Sequence, residues 1–142
     1  MKSIHILLIE DNEGDILLTV EALSESNYKN EVTVIKDGDA AINYFQNAIS
    51  ENKSLPDLVL LDINLPKIDG KEVLSFIKTH PKLKIIPVLM LTTSSSDADI
   101  RDAYSNYANC YITKPVDFNN FFEIIKSIED FWITMVKLPA KV

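Results

Sequence analysis

Five short aliphatic runs, separated by stretches of helical period, leave this chain little choice of fold. Ile4–Ile9 is continuous and apolar, as a strand covered on both faces requires. Val32 and Val34 mark a second, more alternating strand. Leu58–Leu61 and Val88–Leu91 are two further buried runs, and Cys110–Thr113 is a short fifth. Between them the period changes. Ile16, Leu17, Val20 and Leu23 recur at helical spacing from Gly14 to Ser24, and Asp37-Gly38-Asp39 opens a helix carrying Ala41, Ile42, Phe45 and Ile49. Gly70 to Thr79 is a third helix, stopped by Pro81, and Ser94–Asp97 offers caps for a fourth. Asp117 is the expected N-cap of a fifth, with Val116 and Phe121 placed to close a hydrophobic staple. Strand and helix thus alternate five times, which predicts βαβ crossovers, a parallel sheet and helices on both faces. The expected fold is a doubly wound α/β domain.

At 142 residues the chain has room for one such domain. Its 14 basic and 21 acidic residues leave a net charge of −7, which argues against nucleic acid or an anionic membrane as partner. Cys110, the single cysteine, has no internal disulfide partner and suits a reducing compartment. The first residues carry Glu10-Asp11 where a signal peptide would need its cleavage site. A cytoplasmic protein is expected.

In an open parallel sheet, ligands bind beyond the carboxyl ends of the strands. The first strand ends in Glu10-Asp11, the third in Asp62, the fourth in Thr92-Thr93 and the fifth in Thr113-Lys114. Three carboxylates on one rim repel one another unless a cation joins them, and an oxygen-only donor set suits Mg²⁺. Asp62 is not simply a helix cap, because Ile63-Asn64-Leu65-Pro66 follows it instead of a helix.

These residues resemble the receiver domain of two-component response regulators along essentially the whole chain. The matching features are Glu10-Asp11, the run Leu58–Asp62 with Leu65-Pro66 and Asp69-Gly70, Pro87 through Thr92, and Lys114-Pro115. The resemblance implies a flavodoxin-like five-stranded sheet of order 2-1-3-4-5. It implies that Asp62 accepts a phosphoryl group from the phosphohistidine of a sensor histidine kinase. Glu10, Asp11, Asp62 and the backbone carbonyl of Asn64 would hold Mg²⁺, and Lys114 would pair with the transferred group. Thr92 would be drawn to it as well, with Tyr111 turning inward behind. Thr93 stands where receivers often carry a smaller residue, and its bulk would narrow access.

An aspartyl phosphatase would want a second Asp two residues after the nucleophile, where Asn64 stands. A flavodoxin-type cofactor module would need a phosphate-cradling loop after the first strand, where Glu10-Asp11-Asn12-Glu13 would repel it. An unphosphorylated interaction domain would be expected to lack Asp62 or Lys114. The expected protein is therefore a phosphorelay regulator and not an enzyme, signalling to a downstream protein by contact without an output domain.

The receiver is expected over residues 1–130, with 131–142 extending the last helix into a tail. With the Asp62–Asn64 and Thr92–Ser94 segments, that tail is similar to the regulators that partner phytochrome-type kinases. Phe131, Trp132, Met135 and Leu138 give it an apolar surface suited to a homodimer, unless the tail folds back on its own domain. His5, His80 and Ser94–Ser96 are read as structural, and Cys110 as a small buried hydrophobe.

Overall fold

The computed structural model describes residues 3–140. Its strands are β1 (Ile4–Ile9), β2 (Asn30–Ile35), β3 (Leu58–Leu61), β4 (Val88–Thr92) and β5 (Cys110–Thr113). The helices are α1 (Glu13–Ser24), α2 (Gly38–Ser50), α3 (Gly70–Thr79), α4 (Asp97–Ser105) and α5 (Phe118–Ile128). All strand pairs are parallel, in the order β2-β1-β3-β4-β5.

Alternation along the strands sorts the side chains into two cores. Leu7, Ile9, Val59, Leu61, Val88 and Met90 face α2 and α3, where Phe45, Val73, Leu74 and Ile77 are fully buried. Ile6, Leu8, Leu58, Leu60, Leu89 and Leu91 face α1 and α5, against Leu23, Phe121 and Ile125. The central strands are thus apolar on both faces, which explains their unbroken aliphatic runs. β2 is an edge strand with mostly half-buried residues, and it alternates accordingly.

Each helix begins with a side-chain cap that accepts the backbone N–H three residues on. Asn12, Asp37, Asp69, Ser96 and Asp117 fill this role for α1 to α5 in turn. The expected staple before α5 is not made: Phe121 is buried, but Val116 is fully exposed.

α5 continues into a wider helical segment over Glu129–Met135, closed by Val136 N–H donating to the Phe131 carbonyl at 2.9 Å. Ile133 is buried in the α1–α5 core and Trp132 packs beside it, half-buried. Leu138 is also half-buried, whereas Phe131 and Met135 are exposed. Pro139 and Ala140 then border an apolar groove with Ile49, Pro56, Ile85 and Pro87. One face of the tail therefore returns to its own domain, and the other does not.

Two glycines permit the close packing beneath the β3–α3 loop. A Cβ on Gly38 would lie 1.8 Å from the Ile68 carbonyl oxygen, and one on Gly70 would lie 2.0 Å from that of Asp62. Neither neighbour is a flexible side-chain end, so the backbone itself would have to move. Gly70→Ala should lose at least about 2 kcal/mol in chemical denaturation, and Gly38→Ala should behave alike. Gly14→Ala, whose Cβ would meet only the Asn12 side chain at 3.3 Å, should stay within about 1 kcal/mol of the parent.

Candidate functional site

Backbone pairing brings the strand ends together before any side chain is considered. Asp62 N–H donates to the Ile9 carbonyl at 3.1 Å, and Lys114 N–H donates to the Thr92 carbonyl at 2.7 Å. The first bond carries the β1–β3 ladder one residue past the strand and sets Asp62 beside Glu10. The second does the same for β4 and β5, setting Lys114 beside Thr92.

The side chains then meet. Lys114 Nζ donates to Glu10 Oε1, to Asp15 Oδ2 at 2.9 Å and to Asp62 Oδ2 at 3.1 Å. The ammonium and the carboxylates of Glu10 and Asp62 are almost entirely buried. Burial alone would depress the Lys114 pKa, but the hydrogen bond to Glu10 and the charge of Asp62 outweigh it and hold the group above its ordinary value. Burial pushes the Glu10 carboxyl up, opposed by the Lys114 hydrogen bond and reinforced by the Asp62 charge. Backbone donors complete the set: Asn12 N–H reaches Glu10 Oε2 at 3.2 Å, and Asn64 N–H reaches Asp62 Oδ1 at 3.3 Å.

Glu10, Asp11 and Asp62 each offer a carboxylate oxygen, and these lie within 4.8 Å of one another. Hard oxygen donors so close together fit a divalent cation of the Mg²⁺ or Mn²⁺ kind. Asp11 is exposed, as a ligand shared with water would be. Thr92 gives a second indication. It is fully buried, yet its Oγ1 meets no hydrogen-bond partner among the described residues. An unpaired hydroxyl in a buried position is uncommon, and one at the end of β4, where the Thr92 carbonyl accepts from Lys114 N–H, suits a group that has still to bind.

Thr93 and Asn64 are exposed around this pit, with Thr93 directly after β4. Tyr111 is half-buried against the α2–α3 core, and its hydroxyl donates to the Ser94 carbonyl at 2.8 Å. Ser94 Oγ donates to Asp99, which pairs with Lys71 of α3, and Lys71 also reaches Asp102 at 3.0 Å. The loop after Thr92 is thereby tied to β5, α4 and α3. Phe131, Trp132, Met135 and Leu138 lie on the tail described above and take no part in the cluster.

One member of the cluster was not anticipated from the sequence. Asp15 sits in the first turn of α1, where an acid is ordinarily explained by the helix dipole. Its N–H is held by the Asn12 cap at 2.9 Å, and helical side chains lean toward the N-terminus, which is the direction of the strand ends. An Asp at the third helical position after a strand-end acidic pair was the available signal.

A model of the response regulator receiver domain matches residues 6–126. Response regulator Rcp1 of Synechocystis sp. is 44% identical over 136 residues, covering 95% of this chain and 92% of its own. The probable methanogenesis regulatory protein FilR2 of Methanothrix harundinacea is 41% identical over 135 residues, 95% of this chain and 87% of its own. Among solved structures, the Mn²⁺-bound form of Rcp1 superposes with a TM-score of 0.91 at 44% identity, over 96% of this chain and 99% of that one. The phosphorylated cyanobacterial phytochrome response regulator RcpA gives 0.93 at 46% identity, over 98% and 100%. With the family model covering residues 6–126, and with its fold and nearly its whole length in agreement with these proteins, the chain belongs to the response regulator receiver domain family.

Proposed function

We propose that this protein is a phosphorelay response regulator that accepts a phosphoryl group on Asp62 from a histidine kinase phosphohistidine. The observation that carries the reading is the buried ion pair of Asp62 and Lys114 beyond the ends of β3 and β5, with the buried, unpartnered hydroxyl of Thr92 at the end of the strand between them. An Asp62 carboxylate oxygen attacks phosphorus. The phosphorus–nitrogen bond breaks with its electron pair left on the imidazole, and an acyl phosphate forms. Transfer of this kind depends on positioning and charge neutralisation more than on covalent assistance. Lys114 supplies one positive charge, and the Thr92 hydroxyl is free to donate to a phosphoryl oxygen.

Glu10, Asp11 and Asp62, with the Asn64 carbonyl, are the residues that would hold Mg²⁺. When bound, such a cation offsets the repulsion between the carboxylate and an anionic phosphoryl donor. The oxygen donor set supports this assignment, as does the Mn²⁺-bound form in which the relative Rcp1 was solved.

Output follows from the loop after Thr92. Donation by Thr92 Oγ1 toward the phosphoryl group pulls on Ser94, which Tyr111, Asp99 and Lys71 connect to β5, α4 and α3. The protein then signals by contact with another protein, in the cytoplasm, as a signalling protein and not an enzyme. None of the described helices is long and apolar enough to cross a membrane. RcpA is a phytochrome response regulator, and the partner kinase proposed here is phytochrome-type on that likeness. Residues 1–130 form the receiver in this reading, and 131–142 form an extension whose exposed Phe131 and Met135 support a homodimer.

Acetyl phosphate should label the protein in the presence of Mg²⁺, and Asp62→Asn or excess chelator should abolish the label. Labelling of Asp62→Asn would overturn the assignment. Lys114→Ala and Thr92→Ala should retain some phosphorylation but lose the phosphorylation-dependent change in partner binding, measured by pull-down with beryllofluoride-loaded protein. Sedimentation of the unmodified and beryllofluoride-loaded chain should give a dimer that Phe131→Ser with Met135→Ser dissociates. A monomer at high micromolar concentration in both states would reject the dimer.

A further inference from the structure

We propose that Asp15 is a positioning residue that withholds Lys114 from the phosphoryl group and so limits how far the phosphorylated form accumulates. The inference rests on the assignment of Asp62 as phosphoacceptor and adds a residue which that assignment does not use.

An ammonium has three N–H donors, and here they face three carboxylates, those of Glu10, Asp15 and Asp62. No donor is left for a phosphoryl oxygen, so one of these contacts must give way or be shared when the group arrives. The three carboxylates differ in what release would involve. Glu10 is 3% exposed, and without its cation it would be a buried unpaired charge. Asp62 becomes the acyl phosphate itself and stays next to Lys114. Asp15 is 25% exposed, so water can take over its oxygen. It also lies in the first turn of α1, where the helix dipole favours its negative charge in the absence of Lys114. Asp15 is therefore the contact that yields most readily, and until it yields it holds part of the only ammonium in the cluster. It lies outside the group of three carboxylates that fits a cation, so its effect runs through Lys114 and not through metal ligation.

Asp15→Asn tests this directly, since it preserves size and the acceptor oxygen but removes the charge. Beryllofluoride titrations in saturating Mg²⁺, followed by calorimetry, should show about threefold tighter binding than the parent, the scale of a partly exposed ion pair. The labelled fraction at limiting acetyl phosphate should rise in parallel. The gain should shrink as salt is added, because a partly exposed charge is screened. It should also disappear in a Lys114→Ala background, closing a double-mutant cycle on the pair. Equal or weaker beryllofluoride binding by Asp15→Asn would overturn the proposal, whatever the folding of the Lys114→Ala protein. A gain undiminished without Lys114 would overturn the route through the ammonium. A parent protein that neither binds beryllofluoride nor labels on Asp62 would instead overturn the phosphoacceptor assignment, and this proposal with it.

Discussion

Burying Glu10 and Asp62 side by side is tenable because Lys114 reaches both from the far side of the sheet. Two carboxylates in a poorly solvated pit would otherwise repel one another with little water to screen them. The ammonium lets both sit at the rim, and it contacts β1, β3 and the first turn of α1 from its place after β5. Removing it would leave two buried carboxylates with backbone donors but no counter-charge, a far larger disturbance than the loss of a surface ion pair. The cluster is thus a structural centre as well as a chemical one.

The strand order makes this convergence possible. Residues 10 and 62 are far apart in sequence, but β1 lies between β2 and β3, so their ends are neighbours in the sheet. β4 and β5 continue the same edge, with Leu89 opposite Cys110 and Thr92 opposite Thr113. Parallel pairing places every carboxyl end on one side. The chain beyond each strand then needs only one or two residues to deliver a functional group to the common pit.

Much of this was legible in the sequence, for identifiable reasons. Glu10, Asp62, Thr92 and Lys114 stood out because each directly follows or ends an apolar run, and strand ends in a parallel sheet are where ligands bind. Helix starts were legible at Asp37 and Asp117 because capping is a local interaction. The strand order was different. Crossover handedness restricts topologies without choosing among the permitted orders, so it came from family resemblance. Asp15 was missed because its role depends on a lysine 99 residues away. The staple failed because a Val116–Phe121 contact requires a particular entry into α5, and composition does not reveal how the chain turns after Pro115. The tail was legible as apolar. Which of its side chains turn inward depends on the wider helical turn after Ile128, and that leaves Ile133 inside and Phe131 and Met135 outside.

The placing of Trp132 has an optical consequence. It is the one tryptophan of the chain, it packs half-buried beside Ile133, and Phe131 stands edge-on to its ring with centroids 5.8 Å apart. Its emission therefore reads the docking of the tail with no added label. The indole lies outside the Asp62 cluster, so quenching by a phosphoryl group or a paramagnetic ion bound there would not be a contact effect. A spectral change that accompanied phosphorylation would measure a displacement carried along α5, and its absence would mark the tail as a passive strut.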